Sequence, residues 1–193
     1  MTEEKFESEI RILFQDIDPF IKTLNSLNAQ IIKSYSFKDH CYKPKGVDNW
    51  DLEEKIMRIR EWETKSQLLF TKIKVIKFKD ISFKRSFFPE GKLVLFEGTL
   101  QDAQMILKDW NFELWFVIEK EEGHLYNIKK PFELTIALEK IKNFGYTAEI
   151  EFWGENINEI YKKFQKSISL LKIDSTIITY KPLPKIVYEY LYK

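Results

Sequence analysis

Glu7, Glu9 and Arg11 occupy alternate positions between Phe6 and Phe14, and Glu149 and Glu151 alternate in the same way around Ile150. In an extended strand alternate residues share a face, so each group would present a row of charged side chains to one side. Carboxylates arranged this way supply the hard oxygen donors that a divalent cation prefers. Phe6, Ile10, Ile12 and Phe14 take the opposite face of the first segment. Cations show the same rhythm in the middle of the chain. Arg58 and Arg60 alternate with Met57, Ile59 and Glu61, and Lys72 and Lys74 with Ile73 and Val75, before Ile76 breaks the phase and Lys77 and Lys79 flank Phe78. Alternating charge has two explanations: the polar face meets water, or it lines a polar cavity inside a barrel. The separation of sign favours the cavity, because a cationic wall suited to an anionic ligand would face a carboxylate wall suited to metal ions.

The elements that would carry these residues follow in order. Phe6 to Phe14 reads as a strand. Asp18 as N-cap and Pro19 at the first helical position start a helix that runs to about Leu27, with Phe20, Ile21, Leu24 and Leu27 as its buried stripe. Ala29 to Tyr42 reads as a strand, and Asp51 to Arg60 ends in one carrying Arg58 and Arg60. Gln67 to Val75 is rich in β-formers. Ile81 to Phe88 and Lys92 to Phe96 straddle Pro89, Glu90 and Gly91, a hairpin signal. A helix from Asp102 to Trp110 carries Ala103, Ile106, Leu107 and Trp110 on one face. Leu114 to Lys120 is a strand broken by Gly123, and Phe132 to Ile141 and Tyr146 to Trp153 are strands. A last helix from Asn156 to Leu171 has Ile157, Ile160, Phe164, Ile168 and Leu171 as its stripe. The tail from Thr176 to Lys193 holds Pro182 and Pro184 and then reads as a short helix or an extended segment; its Tyr188, Tyr190 and Tyr192 read either as a covering strand or as a self-association surface, which admits a homodimer. These elements predict an α+β fold, an eight-stranded antiparallel β-barrel or tunnel with helices packed outside.

At 193 residues a single domain over 1–193 is expected. A net charge of +1, from 31 basic and 30 acidic residues, offers no broad phosphate footprint and argues against strong nucleic-acid binding. One cysteine, Cys41, excludes a disulfide framework or a cysteine zinc site within the chain, and His40 and His124 are too few for a histidine site. The sequence has no signal peptide and no apolar run long enough to span a bilayer, which gives the expectation of a cytoplasmic protein without membrane contact.

Glu7, Glu9 and Arg11 together resemble the ExExK signature that opens the CYTH superfamily, the triphosphate tunnel metalloenzymes. That superfamily includes class IV adenylyl cyclases, thiamine triphosphatases and inorganic triphosphatases. Met57 to Arg60 resembles the family's LRIR-type strand, Phe70 to Lys72 its LT-x-K strand, and Trp110 to Phe112 its Leu-Gly-Phe after a helix. Leu138 to Gly145 followed by Glu149 to Glu151 resembles the block that closes the family's tunnel. The similarity runs in order from about residue 7 to 171 and leaves 172–193 as a C-terminal extension.

The resemblance implies metal-dependent hydrolysis of a triphosphate (inorganic, nucleoside or thiamine) with Mg2+ or Mn2+ as cofactor. Its alternatives are cyclic AMP formation from ATP and a catalytically degenerate module that binds a phosphate ligand. Glu9, Glu149 and Glu151 would carry catalysis. Metal would be held by these three with Glu7 and Glu139, and the triphosphate by Arg11, Arg58, Arg60, Lys72, Lys120 and Arg85. The chain departs from the pattern at four places. Arg11 stands where the family has lysine, and a planar fork meets phosphate differently from an ammonium. Glu139 replaces an aspartate, and Glu122 reverses the charge of the arginine expected beyond Lys120. The family's mid-chain R-x-E-x-E strand has no clear counterpart; Arg85 and Glu97 are its nearest arginine and carboxylate.

Overall fold

The computed structural model describes residues 6–88 and 91–193, without the side chains of Phe6 and Glu7, so the metal role expected of Glu7 lies outside the described residues. The strands are β1 (Phe6–Leu13), β2 (Gln30–Pro44), β3 (Lys55–Glu61), β4 (Ser66–Phe78), β5 (Ile81–Ser86), β6 (Leu93–Gly98), β7 (Phe112–Ile128), β8 (Leu134–Ile141), β9 (Gly145–Gly154) and β10 (Ile178–Thr179). The helices are α1 (Asp18–Ser26), α2 (Leu100–Asp109), α3 (Ile157–Leu171) and α4 (Leu183–Leu191). No described helix is long and apolar enough to cross a membrane.

The α+β class stands, but the closed eight-stranded barrel is corrected. Among the described residues ten strands form one sheet in the order β10-β1-β5-β4-β3-β2-β7-β8-β9, with β6 on β4 as a branch and β1 also paired with β9. With β9, β1 keeps register from Phe6 opposite Gly154 to Leu13 opposite Thr147. Among the described residues its register with β5 is the single pair Glu9 opposite Lys84. Beyond that pair the same edge of β1 is taken by β10, with Arg11 opposite Thr179 and Ile12 opposite Ile178. The sheet thus curls around a cavity with no continuous ladder closing it, because the C-terminal segment occupies the edge that a closed barrel would need.

Period-two alternation decides which side chains enter the cavity. Ile10 and Ile12 of β1, Phe83 of β5, Ile136 and Leu138 of β8 and Ile150 and Phe152 of β9 are buried outward, against Phe20 and Leu24 of α1 and Ile160, Phe164 and Leu171 of α3. At about 25 cal/mol per Å² of apolar surface this packing is the main term that holds β1 and β9 with their charged faces inward. Ala103 and Leu107 of α2 pack on Tyr42, Met57, Ile59 and Leu68. Leu183 and Val187 of α4 pack on Cys41, Ile56, Phe116 and Ile118, so 172–193 contributes a strand and a helix to the same fold. Tyr188 and Tyr192 lie on that helix, or at its end, against Phe116, and so are not on a strand.

Three local expectations are corrected. β5 and β6 do not form a hairpin: both run antiparallel to β4, along Ile73–Phe78 and Ser66–Phe70, and are therefore parallel to each other. β7 continues through Gly123, which sits opposite Tyr35, and a Cβ there would lie 2.2 Å from the Tyr35 ring. The glycine makes room for the ring; it does not break the strand. The N-cap of α1 is Ile17, not Asp18; Asp16 Oδ1 accepts the Asp18 N–H at 3.0 Å, and Pro19 remains in the first turn.

Candidate functional site

The curled sheet encloses a cavity of about 1130 Å³ with charged side chains on its walls. β1 and β9 build the carboxylate side. Their register sets Glu9 opposite Glu151 and Arg11 opposite Glu149. Oxygens of Glu9, Glu149 and Glu151, one from each, lie within 4.8 Å of one another, the one such acidic group among the described residues. Glu9 and Arg11 are 8% and 5% exposed, so these are charges held largely away from bulk water.

Glu9 and Glu149 each meet a cation. Lys84 of β5 pairs with Glu9 and lies 3.8 Å from Glu149 Oε2. Arg11 donates to Glu149, donates to Thr147 Oγ1 at 3.2 Å, and stands 3.6 Å from Glu139 Oε2. Burial alone would raise the Glu149 pKa, but Arg11 and then Lys84 outweigh it and hold this carboxyl below its ordinary range. Glu151 is pushed the other way, first by burial and then by the Glu149 charge. The pair is thereby biased toward one firmly ionised carboxylate and one that protonates more readily.

The cationic side comes from β2, β3 and β7. Asp39 of β2 faces Arg60 of β3 across the ladder and accepts a forked pair of bonds, from Nε to Oδ1 and from Nη2 to Oδ2, both at 2.8 Å. Arg58 Nε is 3.7 Å from Asp39 Oδ2. Burial would raise the pKa of Asp39, yet the two guanidiniums, Arg60 first, keep it far below the usual carboxylate range. The Arg60 guanidinium also lies 3.9 Å from the Phe37 ring centroid, a cation–π contact that fixes its plane. Lys120 of β7 donates to Glu139, which also accepts from the Tyr35 hydroxyl at 2.8 Å. Burial draws the Lys120 pKa down against the opposing pull of Glu139.

Of the residues predicted from sequence, Glu9, Arg11, Arg58, Arg60, Lys120, Glu139, Glu149 and Glu151 all line this cavity. Lys72 and Arg85 do not. On β4 the lining residues are Gln67, Thr71 and Ile73, and on β5 they are Lys84 and Ser86, so the alternation turns Lys72 and Arg85 to the other face. Lys72 Nζ lies 5.0 Å from the Phe87 ring centroid. Glu139 is outside the acidic group, with its contacts directed to Lys120, Tyr35 and Arg11. Glu122 does not line the cavity either; its Oε1 accepts a hydrogen bond from His124 Nε2 at 2.7 Å, and the other ring nitrogen of His124 is 3.0 Å from Ser34 Oγ.

Sequence reasoning missed Asp39 and Lys84. Asp39 follows Tyr35 and Phe37 at spacings of two, and a carboxylate on such an apolar stripe requires a buried cationic partner. Lys84 shares its phase with Ser82 and Ser86, against Ile81 and Phe83, so the period-two pattern carried the signal.

No protein-family model and no curated protein matches the chain. Solved structures match it over nearly its whole length. A conserved hypothetical protein from Pyrococcus furiosus is 18% identical with a TM-score of 0.68, covering 93% of this chain and 98% of that one. The PH1012 protein of Pyrococcus horikoshii is 17% identical with a TM-score of 0.69, over 93% and 98%. A Hippeastrum adenylyl cyclase homologue with a dominant triphosphatase activity is 12% identical with a TM-score of 0.57, over 97% and 96%. At these identities the matches establish the fold. That shared fold agrees with the resemblance drawn from the ordered motifs, in a chain whose sequence is divergent from theirs.

Proposed function

We propose that the cavity binds a phosphate-chain ligand together with a divalent cation and hydrolyses a phosphoanhydride bond, a triphosphatase activity dependent on Mg2+ or Mn2+. The observation that supports this most strongly is the meeting of Glu9, Glu149 and Glu151 with Arg58, Arg60 and Lys120 around one cavity. Its volume of about 1130 Å³ exceeds the roughly 300–1,000 Å³ typical of sites for drug-sized ligands, room enough for a nucleoside or thiamine triphosphate as well as the inorganic chain.

The donor set suits a hard cation. Glu9, Glu149 and Glu151 would hold it, with side-chain adjustment to bring their oxygens within the roughly 2.1 Å ligand distance of magnesium. A cation bound there supplies charge neutralisation on phosphoryl oxygens. Arg58 and Lys120 would approach the chain from the opposite wall, with Arg60 and Arg11 adding fixed positive charge that costs no reorganisation as negative charge develops. The Thr71 hydroxyl, buried on the same wall with no hydrogen-bond partner among the described residues, would donate to a ligand oxygen.

The test is phosphate release from tripolyphosphate, ATP and thiamine triphosphate with Mg2+ and then Mn2+, against Glu9→Gln combined with Glu151→Gln. Metal-dependent release that the double variant loses is the expected result. Cyclic AMP and pyrophosphate from ATP would instead identify a cyclase. A second reading, a module that binds a phosphate ligand without turnover, has its own observation in favour: Asp39 already engages Arg58 and Arg60, and Glu139 engages Lys120. Ligand-induced stabilisation without any product from folded protein would select it.

A further inference from the structure

We propose that Lys84 is the resident counter-ion of the carboxylate group, an ammonium that holds the site together while metal is absent and that a divalent cation must displace. The inference rests on the cation site proposed above. Glu9 and Glu151 face each other directly across the β1–β9 ladder, a like-charge juxtaposition that destabilises a sheet. On the other side of Glu9, as its register partner on β5, stands Lys84. Its ammonium contacts Glu9 Oε1 and lies 3.8 Å from Glu149 Oε2, so it sits between two of the three carboxylates that would be ligands.

Arg11 also pairs with Glu149, but the two cations are held differently. The Arg11 guanidinium is anchored further by Thr147 Oγ1 at 3.2 Å, whose hydroxyl donates to the Ile12 carbonyl at 3.0 Å, and by Glu139 at 3.6 Å. Lys84 is a compact charge on a flexible four-carbon stem, and its ion pairs among the described residues are to Glu9 and Glu149. It is therefore the group that yields. Its departure breaks no part of the β1–β9 ladder, which keeps Glu9, Glu149 and Glu151 in register. A displaced ammonium left in a half-buried site requires a new anion, and a phosphate oxygen in the same cavity would supply one. The resident lysine thus lowers affinity for the bare cation and favours loading together with an anionic ligand.

The measurement is Mn2+ affinity without phosphate, read from the loss of the free-ion electron paramagnetic resonance signal, for the wild-type chain, Lys84→Met and Lys84→Arg. Near-ultraviolet circular dichroism verifies the fold of each. A unit charge about 4 Å from a doubly charged ion implies an effect of at least about tenfold even at the dielectric constant of water. Lys84→Met is expected to bind Mn2+ at least about tenfold more tightly than wild type, and Lys84→Arg about as weakly as wild type. Tighter binding by both variants, or none tighter in Lys84→Met, overturns the proposal while leaving the cation site standing. Absence of Mn2+ binding in all three folded proteins overturns both. If Lys84→Met does not fold, Lys84→Gln takes its place with the same expected gain.

Discussion

Asp39→Asn separates what the cationic wall contributes to stability from what it contributes to binding. The substitution keeps the volume and removes the charge that two guanidiniums share, Arg60 through two bonds of 2.8 Å and Arg58 at 3.7 Å. Breaking a buried pair by removing one partner costs about 3–5 kcal/mol. The side chains of Arg58 and Arg60 keep 15% and 14% exposure on the cavity, where solvent screens them, so about 2–3 kcal/mol is the expected loss. With a urea slope of about 2 kcal/mol/M, the midpoint should fall by about 1 M. Unfolding followed by tryptophan fluorescence measures it. The pH dependence has a definite sign. The folded pKa of Asp39 lies below its ordinary 3.8, so its contribution is fully present above 3.8 and is lost only as pH falls through the folded value. The gap between wild type and variant should hold from pH 7 to pH 5 and narrow only below about 4. Freed of Asp39, the guanidiniums should also bind tripolyphosphate more tightly, raising the thermal midpoint of the variant by more than that of wild type. Equal urea midpoints, or a gap that already closes between pH 7 and pH 5, would refute the reasoning.

Other substitutions test the surrounding geometry. Gly123→Ala places a Cβ 2.2 Å from the Tyr35 ring and should destabilise by about 1–3 kcal/mol, seen as a lower thermal midpoint; an unchanged midpoint would show that the ring moves freely. Thr71→Val removes a buried hydroxyl without a partner among the described residues and should raise stability by about 1 kcal/mol while weakening tripolyphosphate binding. A clear loss of stability in that variant would show that the hydroxyl is satisfied in solution. Leu183→Ala, at a position of α4 that is 4% exposed, should cost about 2–5 kcal/mol in chemical unfolding, and a cost near zero would mean that α4 is not docked as described.

The parts of the site that could be read in the sequence are those whose opposite face is apolar and covered. Ile10 and Ile12 are buried against α1 and α3, which leaves Glu9 and Arg11 only the cavity to face, and Ile150 fixes Glu149 and Glu151 in the same way. Where the outer face is not covered so completely, alternation shows that Lys72 and Lys74 share a side but not which side it is. Lys74 is exposed and Ile73 faces the cavity. The closed eight-stranded barrel failed for a different reason. Sharing of the β1 edge between β5 and β10 is a matter of where a two-residue strand after α3 docks, and no periodicity can be seen in two residues. Gly123 was misread because a glycine inside a strand is equally a break or a clearance, and only the ring opposite distinguishes them.

The β1–β9 ladder also has a kinetic consequence. It joins Arg11 to a residue 138 positions away, and Glu9 meets its acidic partners across a similar span. Contacts of such separation form late, after the chain has lost the entropy of closing a very long loop. The hairpins β3–β4 and β7–β8 can form while the carboxylates are still far apart. A refolding chain should therefore regain much of its β-sheet signal before any divalent ion can register its presence. Metal affinity, followed in time, would then report the completion of folding and not its progress.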